Sequence, residues 1–228
     1  MKKAIIIQAR MTSSRLPGKM MKEILGHPLI FYVIDRVKRV AGVEQVILAT
    51  SSDVTDDELA RFAAEQSIAV FRGELTNVQK RYYEAAKYFG VDVIVRVTGD
   101  NPLIAPELIQ DMLMQWEECK ADYIGYKKCI PGAGAELFTF RSFEKAMMLS
   151  HAPYEFEHVT PPYYERQEGF NTFFLVPPRQ LQCEGLRLTV DTEEDFMFMR
   201  SLYETYAVDG YVSLIDVIQN YSTEKMKT

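Results

Sequence analysis

Residues 3–19 read KAIIIQARMTSSRLPGK, and the change of character inside this stretch decides the fold. Lys3 to Ala9 is a short, nearly unbroken apolar run of the kind that forms a strand covered on both faces. A polar loop carrying Arg10, Arg15 and Lys19 follows it directly. Working outward, Gln45 to Thr50, Ala69 to Arg72 and Val93 to Val97 repeat the strand pattern. Helical periodicity fills the gaps. Pro28 suits the first turn of a helix whose apolar positions Leu29, Ile30, Val33, Ile34 and Val37 recur every three or four residues. Thr55-Asp56-Asp57-Glu58 reads as a capping box, and Asn77 as the cap of a helix running to about Gly90. This alternation predicts an α/β fold, a mostly parallel sheet flanked by helices, with ligands beyond the carboxyl ends of the strands.

The rhythm changes after a helix expected from Pro106 to Cys119. Lys128 to Ala135 is a Gly/Pro-bearing loop, followed by a short strand at Leu137 to Phe140 and a helix from Ser142. His151 to Gln167 is rich in Pro, Glu and aromatic residues; Phe170 to Val176 and Leu186 to Val190 read as further strands. Thr192 is the expected cap of a helix ending near Tyr206. Residues 127–185 therefore read as a lid or dimerisation elaboration on a single domain spanning 1–228.

Composition sets outer limits. The 228 residues are 47% apolar and 25% charged, which excludes disordered and fibrous classes. A chain of this length hides roughly 70–75% of its unfolded surface, enough for a core without metals or staples. Cys119, Cys129 and Cys183 are odd in number and lack CxxC spacing, so no zinc site or disulfide framework is expected and a reducing cytoplasm fits. The opening apolar run stops at Gln8, too soon for an export signal. No run approaches the roughly 20 apolar residues of a membrane span. Net charge is −6, yet residues 1–50 hold nine Lys/Arg against three Asp/Glu. So local a basic segment on an acidic chain suits a small polyanion such as a nucleoside triphosphate, not nucleic acid.

The loop after the first strand lies where that polyanion is expected. Arg10, Arg15 and Lys19 cannot neutralise one another, and the small hydroxyl residues between them let backbone N–H groups wrap phosphate oxygens. A merely solvated basic loop has the same composition. Neither GxxxxGK[ST] nor GxGxxG occurs here, so Walker-type and dinucleotide-binding classes drop out. Asp100 follows Gly99 just past the fourth strand, and Asp191 stands at a second strand-to-helix junction. Each can hold magnesium, which accepts one or two carboxylates with phosphates and waters; each could equally be a turn or cap residue. Tyr82, Tyr83, Tyr88 and Phe89 are read as packing a helix on the sheet, not as stacking a base.

The stretches IIIQARMTSSRLPGK, VFRGELTNVQKRYYEAAKYFG, VRVTGDNPLIAPELI, EFEHVTPPYY and LTVDTEEDF, in this order through most of the chain, resemble the cytidylyltransferase family of spore-coat polysaccharide biosynthesis proteins, relatives of CMP-KDO and acylneuraminate cytidylyltransferases. The resemblance implies a Rossmann-like nucleotide-diphospho-sugar transferase fold and transfer of CMP from CTP to a sugar acceptor, with pyrophosphate released. It gives Gln8, Ala9, Arg10, Arg15 and Lys19 to the nucleotide phosphates, with the three cations in the catalytic role, and Asp100 and Asp191 to Mg2+. A symmetric homodimer through the lid side also follows from it. Arg72 is a further nucleotide candidate, with an edge salt bridge as the alternative. Glu136, Glu157 and His158 are acceptor candidates. Gly134-Ala135 stands where the family often carries an aspartate, so the acceptor's identity stays open, and His158 reads more readily as a structural histidine than as a base or acceptor contact, because a single histidine has no partner placed for it. Two other functions compete: a glycosyltransferase of the same fold acting on a nucleotide sugar, and a non-catalytic nucleotide or sugar sensor.

Overall fold

The computed structural model describes residues 1–166 and 169–225. In chain order it contains β1 (Lys3–Gln8), the hairpin β2 (Glu23–Ile24) and β3 (His27–Pro28), α1 (Leu29–Val37), β4 (Gln45–Ser51), α2 (Asp57–Glu65), β5 (Ala69–Gly73), α3 (Val78–Phe89), β6 (Val93–Thr98) and α4 (Pro106–Cys119). There follow β7 (Tyr123–Tyr126), β8 (Glu136–Thr139), α5 (Phe140–Leu149), α6 (Pro153–His158), α7 (Pro161–Glu165), β9 (Thr172–Leu175), α8 (Glu193–Tyr206), the hairpin β10 (Ala207–Val208) and β11 (Tyr211–Val212), and α9 (Leu214–Lys225).

The main sheet has the order β5-β4-β1-β6-β8-β7-β9. Its first four members are parallel; β8 runs antiparallel to β6 and β7, and β9 is again parallel to β7. The break in rhythm after α4 is this reversed strand. In β1, Ile5 and Ile7 enter one buried layer while Ala4 and Ile6 enter the other. That is why its sequence is an apolar run and not an alternation. Tyr82 anchors α3 on the second face: it is fully buried and its hydroxyl donates to the Ile6 and Val97 carbonyls at 3.0 and 3.2 Å. Tyr83 stacks on Phe140, and Tyr88 is exposed beside Phe71.

Three local expectations are corrected. Pro28 precedes α1 and does not occupy its first turn. No capping box forms at Thr55; Asp53 accepts from Thr55 N and opens a 3-10 turn, leaving Asp56 free for another task. Leu186 to Val190 is extended but joins no ladder. Leu188 N donates to Pro131 O at 2.7 Å and Val190 N to Asp100 O at 2.8 Å, so the segment is bound to loops. The pattern had also hidden β7, because YIGY is only four residues long and its apolar character is carried by two tyrosines. Asn77 and Thr192 cap α3 and α8 as expected, Thr192 in a reciprocal box with Asp195. Gln167, at the end of the Pro- and aromatic-rich segment, lies outside the described residues.

Candidate active site

The carboxyl ends of β1 and β6 are held together by the backbone of Gly99, whose N–H donates to Gln8 O at 2.8 Å. A side chain there would put Cβ 2.7 Å from Ala9 Cβ and 3.0 Å from Ile30 Cδ1, so only glycine allows this approach. Asp100 is thereby delivered next to the loop that follows β1. Its own carbonyl accepts Val190 N, which brings Asp191 alongside. Gly132, at φ +95, makes this possible from below: a Cβ would lie 2.5 Å from the Leu188 carbonyl carbon.

The two aspartates meet on one cation. Lys19 Nζ donates to Asp100 Oδ2 at 3.0 Å, to Asp191 Oδ1 at 3.3 Å and to Val190 O at 2.7 Å. Arg15 reaches the same Asp191 oxygen at 3.0 Å, and Arg187 bonds the other at 2.5 Å. Burial alone would raise the Asp191 carboxyl, but the bond from Arg187 and the charges of Lys19 and Arg15 outweigh it and hold it below its ordinary value. Arg187 escaped the sequence reading because nothing local marks it; its place is set by the bound Leu186–Val190 segment.

Arg10 leaves this cluster and crosses the cleft, donating to Glu157 Oε1 of α6 at 3.0 Å and to Leu75 O at 3.4 Å. Between the cations the loop is closed on Met11, whose carbonyl accepts Ser13 N and Gly18 N, both at 3.0 Å. Among the described residues no group takes the N–H of Thr12, Ser14 or Arg15. They are free donors on a turn that lines the same cavity as the cations, which suits phosphate oxygens.

Two adjoining cavities open here. The first, about 190 Å3, is lined by Gln8, Ala9, Arg10, the Thr12–Arg15 turn, Lys19 and the buried Arg81. The second, about 370 Å3, is lined by Arg96, Asn101, Gly132, His158 and Thr189. Gln8, Arg15, Thr98, Asp100, Glu157 and Asp191 belong to both, so they form the wall where the lobes meet. Arg81 and Asn101 were not anticipated; Arg81 looks from sequence like one more charge on an amphipathic helix.

Glu136 lines neither cavity. It backs the second lobe, accepting from Arg96, from Tyr123 Oη at 2.5 Å and from Thr160 Oγ1 at 2.7 Å. Burial alone would lower the Arg96 guanidinium, but the Glu136 charge and hydrogen bond raise it above its ordinary value. Arg72 lines neither cavity either, and the edge-contact alternative describes it: it donates to Ser51 O, Asp53 O and Asp57 at 2.6–2.9 Å, pinning the start of α2. His158 is exposed, and among the described residues its ring has no hydrogen-bond partner. It is followed by Val159 at φ 71, ψ −51, with Thr160 N donating to His158 O at 2.8 Å. This tight turn is strained for a β-branched residue, at a cost of roughly 1–3 kcal/mol. It puts His158 on the lobe and Thr160 on Glu136.

Comparison with known proteins gives a consistent answer. Residues 4–221 match the cytidylyltransferase family. An uncharacterised protein of Methanocaldococcus jannaschii is 37% identical over 201 residues, covering 88% of this chain and 83% of that one. The spore coat polysaccharide biosynthesis protein SpsF of Bacillus subtilis is 30% identical over 218 residues, 93% of this chain and 91% of its own. Among solved structures, a cytidylyltransferase from Leptospira borgpetersenii superposes with a TM-score of 0.89 at 31% identity, covering 98% of this chain and 96% of that one. The match takes in both strand ends and both aspartates of the cleft; the chain belongs to the cytidylyltransferase family and is a nucleotidyltransferase of Rossmann-like fold.

Proposed function

We propose that the enzyme transfers CMP from CTP to a sugar acceptor, releasing pyrophosphate, with Mg2+ held by Asp100 and Asp191. The observation that carries this reading is the wall shared by the two lobes. A triphosphate in the first lobe lies along Arg10, Arg15, Lys19 and the free loop amides, and its α-phosphorus falls beside Asp100 and Asp191, facing an acceptor in the second lobe. The acceptor oxygen forms the new P–O bond as the bond to the β-phosphate breaks, and pyrophosphate leaves toward the cations. His158 lines the acceptor lobe and would take the hydroxyl proton. Family membership favours this over glycosyl transfer or sensing.

The donor set fits magnesium. Asp100 Oδ2 and Asp191 Oδ1 already converge on one positive charge, Lys19 Nζ. Among the described residues no group of three or more potential ligands occurs. An ion that takes one or two carboxylates and fills its shell with phosphate oxygens and water needs no more. When bound, it supplies charge neutralisation at the α-phosphate. Lys19, which also lines the first lobe, would then serve the phosphates.

The SpsF relative supports a role in surface or spore-coat polysaccharide synthesis. Three cysteines, odd in number and without CxxC spacing, support a cytoplasmic setting, and the family resemblance supports a homodimer through residues 127–185. No helix among the described residues is long and apolar enough to cross a membrane. The test is incubation with CTP, Mg2+ and a panel of acidic and neutral sugars, following pyrophosphate and the nucleotide product. Asp100→Ala and Asp191→Ala should each lose about 10²-fold or more in kcat while circular dichroism stays that of the wild type. Nucleoside diphosphate released from a nucleotide sugar, with no use of CTP, would refute the reading.

A further inference from the structure

Asp56 is completely buried, and a carboxylate in that position is costly unless its oxygens are saturated with donors. Four donors reach this one, divided unevenly. Oδ2 accepts Thr50 Oγ1 at 2.9 Å, Ser51 N at 3.0 Å and Ser51 Oγ, all from the end of β4 a few residues earlier. Oδ1 reaches back 45 positions to a single donor, Met11 N, at 2.7 Å. The local turn is thus satisfied by one oxygen, and the other serves only the loop after β1.

Met11 is the pivot of that loop. The ladder of β1 ends at Gln8, paired with Ala49 and Thr98; Ala9 N still reaches Ala49 O at 3.4 Å, and the next backbone N–H that is held is that of Met11. The Met11 carbonyl then closes the loop onto Ser13 and Gly18. Because a peptide unit is planar, holding Met11 N–H fixes the unit that joins Arg10 to Met11. It also fixes the point from which the free amides of Thr12 and Ser14 are aimed.

We propose that Asp56 is the positioning residue of the phosphate-gripping loop, orienting Arg10 and the loop amides through its bond to Met11 N–H. The proposal rests on the loop being the triphosphate site. Asp56 acts through geometry, since it is completely buried and lines neither cavity.

The experiment has an arm that needs no turnover. In the wild-type protein, hydrogen exchange read by NMR should show the Met11 amide protected like those of β1, with Thr12 and Ser14 exchanging freely; a freely exchanging Met11 overturns the proposal. By calorimetry, inorganic tripolyphosphate should bind Asp56→Asn about tenfold more weakly, the effect of losing one charge-assisted hydrogen bond. Its kcat/KM for CTP should fall up to about 10²-fold with KM raised, well below the unfolding midpoint of the variant. Thr50→Val removes an anchor of Asp56 but keeps the Met11 bond; it should lower the midpoint yet bind tripolyphosphate within about twofold of wild type. Equal losses in both variants, or none in Asp56→Asn, would make Asp56 purely structural and sink the proposal. If Asp56→Asn does not fold, Met11 exchange and the Thr50→Val affinity decide it. A wild-type protein that ignores CTP but binds tripolyphosphate with a protected Met11 would refute the proposed function and leave this assignment standing.

Discussion

Lys19 has a 7% exposed side chain and touches two carboxylates and a carbonyl, so its position is set by charges and not by the loop that carries it. Asp191 is the mirror case, a carboxylate facing Lys19, Arg15 and Arg187. Because these partners depress its folded-state ionisation below the ordinary 3.8, its contribution to stability is complete above the unfolded value. That contribution is lost as pH falls through the lower folded one. Asp195, depressed by backbone bonds against the opposing effect of burial, adds to the same acid limb. Asp191→Asn should therefore melt below wild type at neutral pH, with the gap narrowing as pH drops below about 4. Melting curves between pH 3 and 7 check this; a gap that does not change with pH would mean that the lost contacts are not ionic. Both outcomes are for protein measured without added nucleotide or metal, with Lys19 bonded to both aspartates.

The elements matter here mainly through their ends. β1 and β6 are ordinary buried parallel strands, but Gly99 lets them approach at the one place where Asp100 must follow. Gly99→Ala places a methyl group against Ala9, Ile30 and Met20, with overpacking of about 1–3 kcal/mol. Displacement of Asp100 comes with it. Urea titration should show a lower midpoint at an unchanged slope, and kcat should fall even in conditions where the variant is fully folded. An alanine that leaves both untouched would show that the strand ends are loosely packed. By contrast α3 is secured by its own two ends, by the Asn77 cap on Lys80 N and by left-handed Gly90. Those features are legible in sequence because they act within one turn. Leu186–Val190 is the opposite case: its alternating apolar residues imitate a strand, but its Leu188 and Val190 N–H groups go to the Pro131 and Asp100 carbonyls.

At the scale of the whole molecule, the cleft is assembled from segments far apart in sequence: residues 8–19, 73–81, 96–101, 131–136, 157–160 and 187–191. The Arg10–Glu157 bridge joins the first of these to the fifth across the opening. Neither partner is fully covered, so the bridge by itself contributes little; a ligand touching several segments contributes more. CTP with Mg2+ at a hundredfold excess over its dissociation constant should stabilise the fold by about 2.7 kcal/mol. Thermal unfolding should show a clear upward shift that Asp191→Ala and Arg10→Ala diminish. No shift with CTP in the wild type would mean that the cleft does not take the nucleotide.

Sequence alone determined the strand–helix alternation, the cationic loop at the end of β1 and the two aspartates at junctions, because hydrophobic period, caps and turn glycines act over a few residues. It could not assign Arg72, Arg81, Arg187, Asp56 or Glu136. A charged residue's role depends on which groups it meets once the chain has folded: Arg72 meets Asp57, Glu136 meets Arg96, and Asp56 meets Met11 N. Tertiary structure alone decided that Asp100 and Asp191 share Lys19, that Glu136 stands behind Arg96 and not in the cleft, and that Arg72 belongs to the scaffold. The physical reason is range: apolar patterning is written along the chain, whereas electrostatic partnership exists only after the sheet has closed and burial has removed the water that would otherwise screen it.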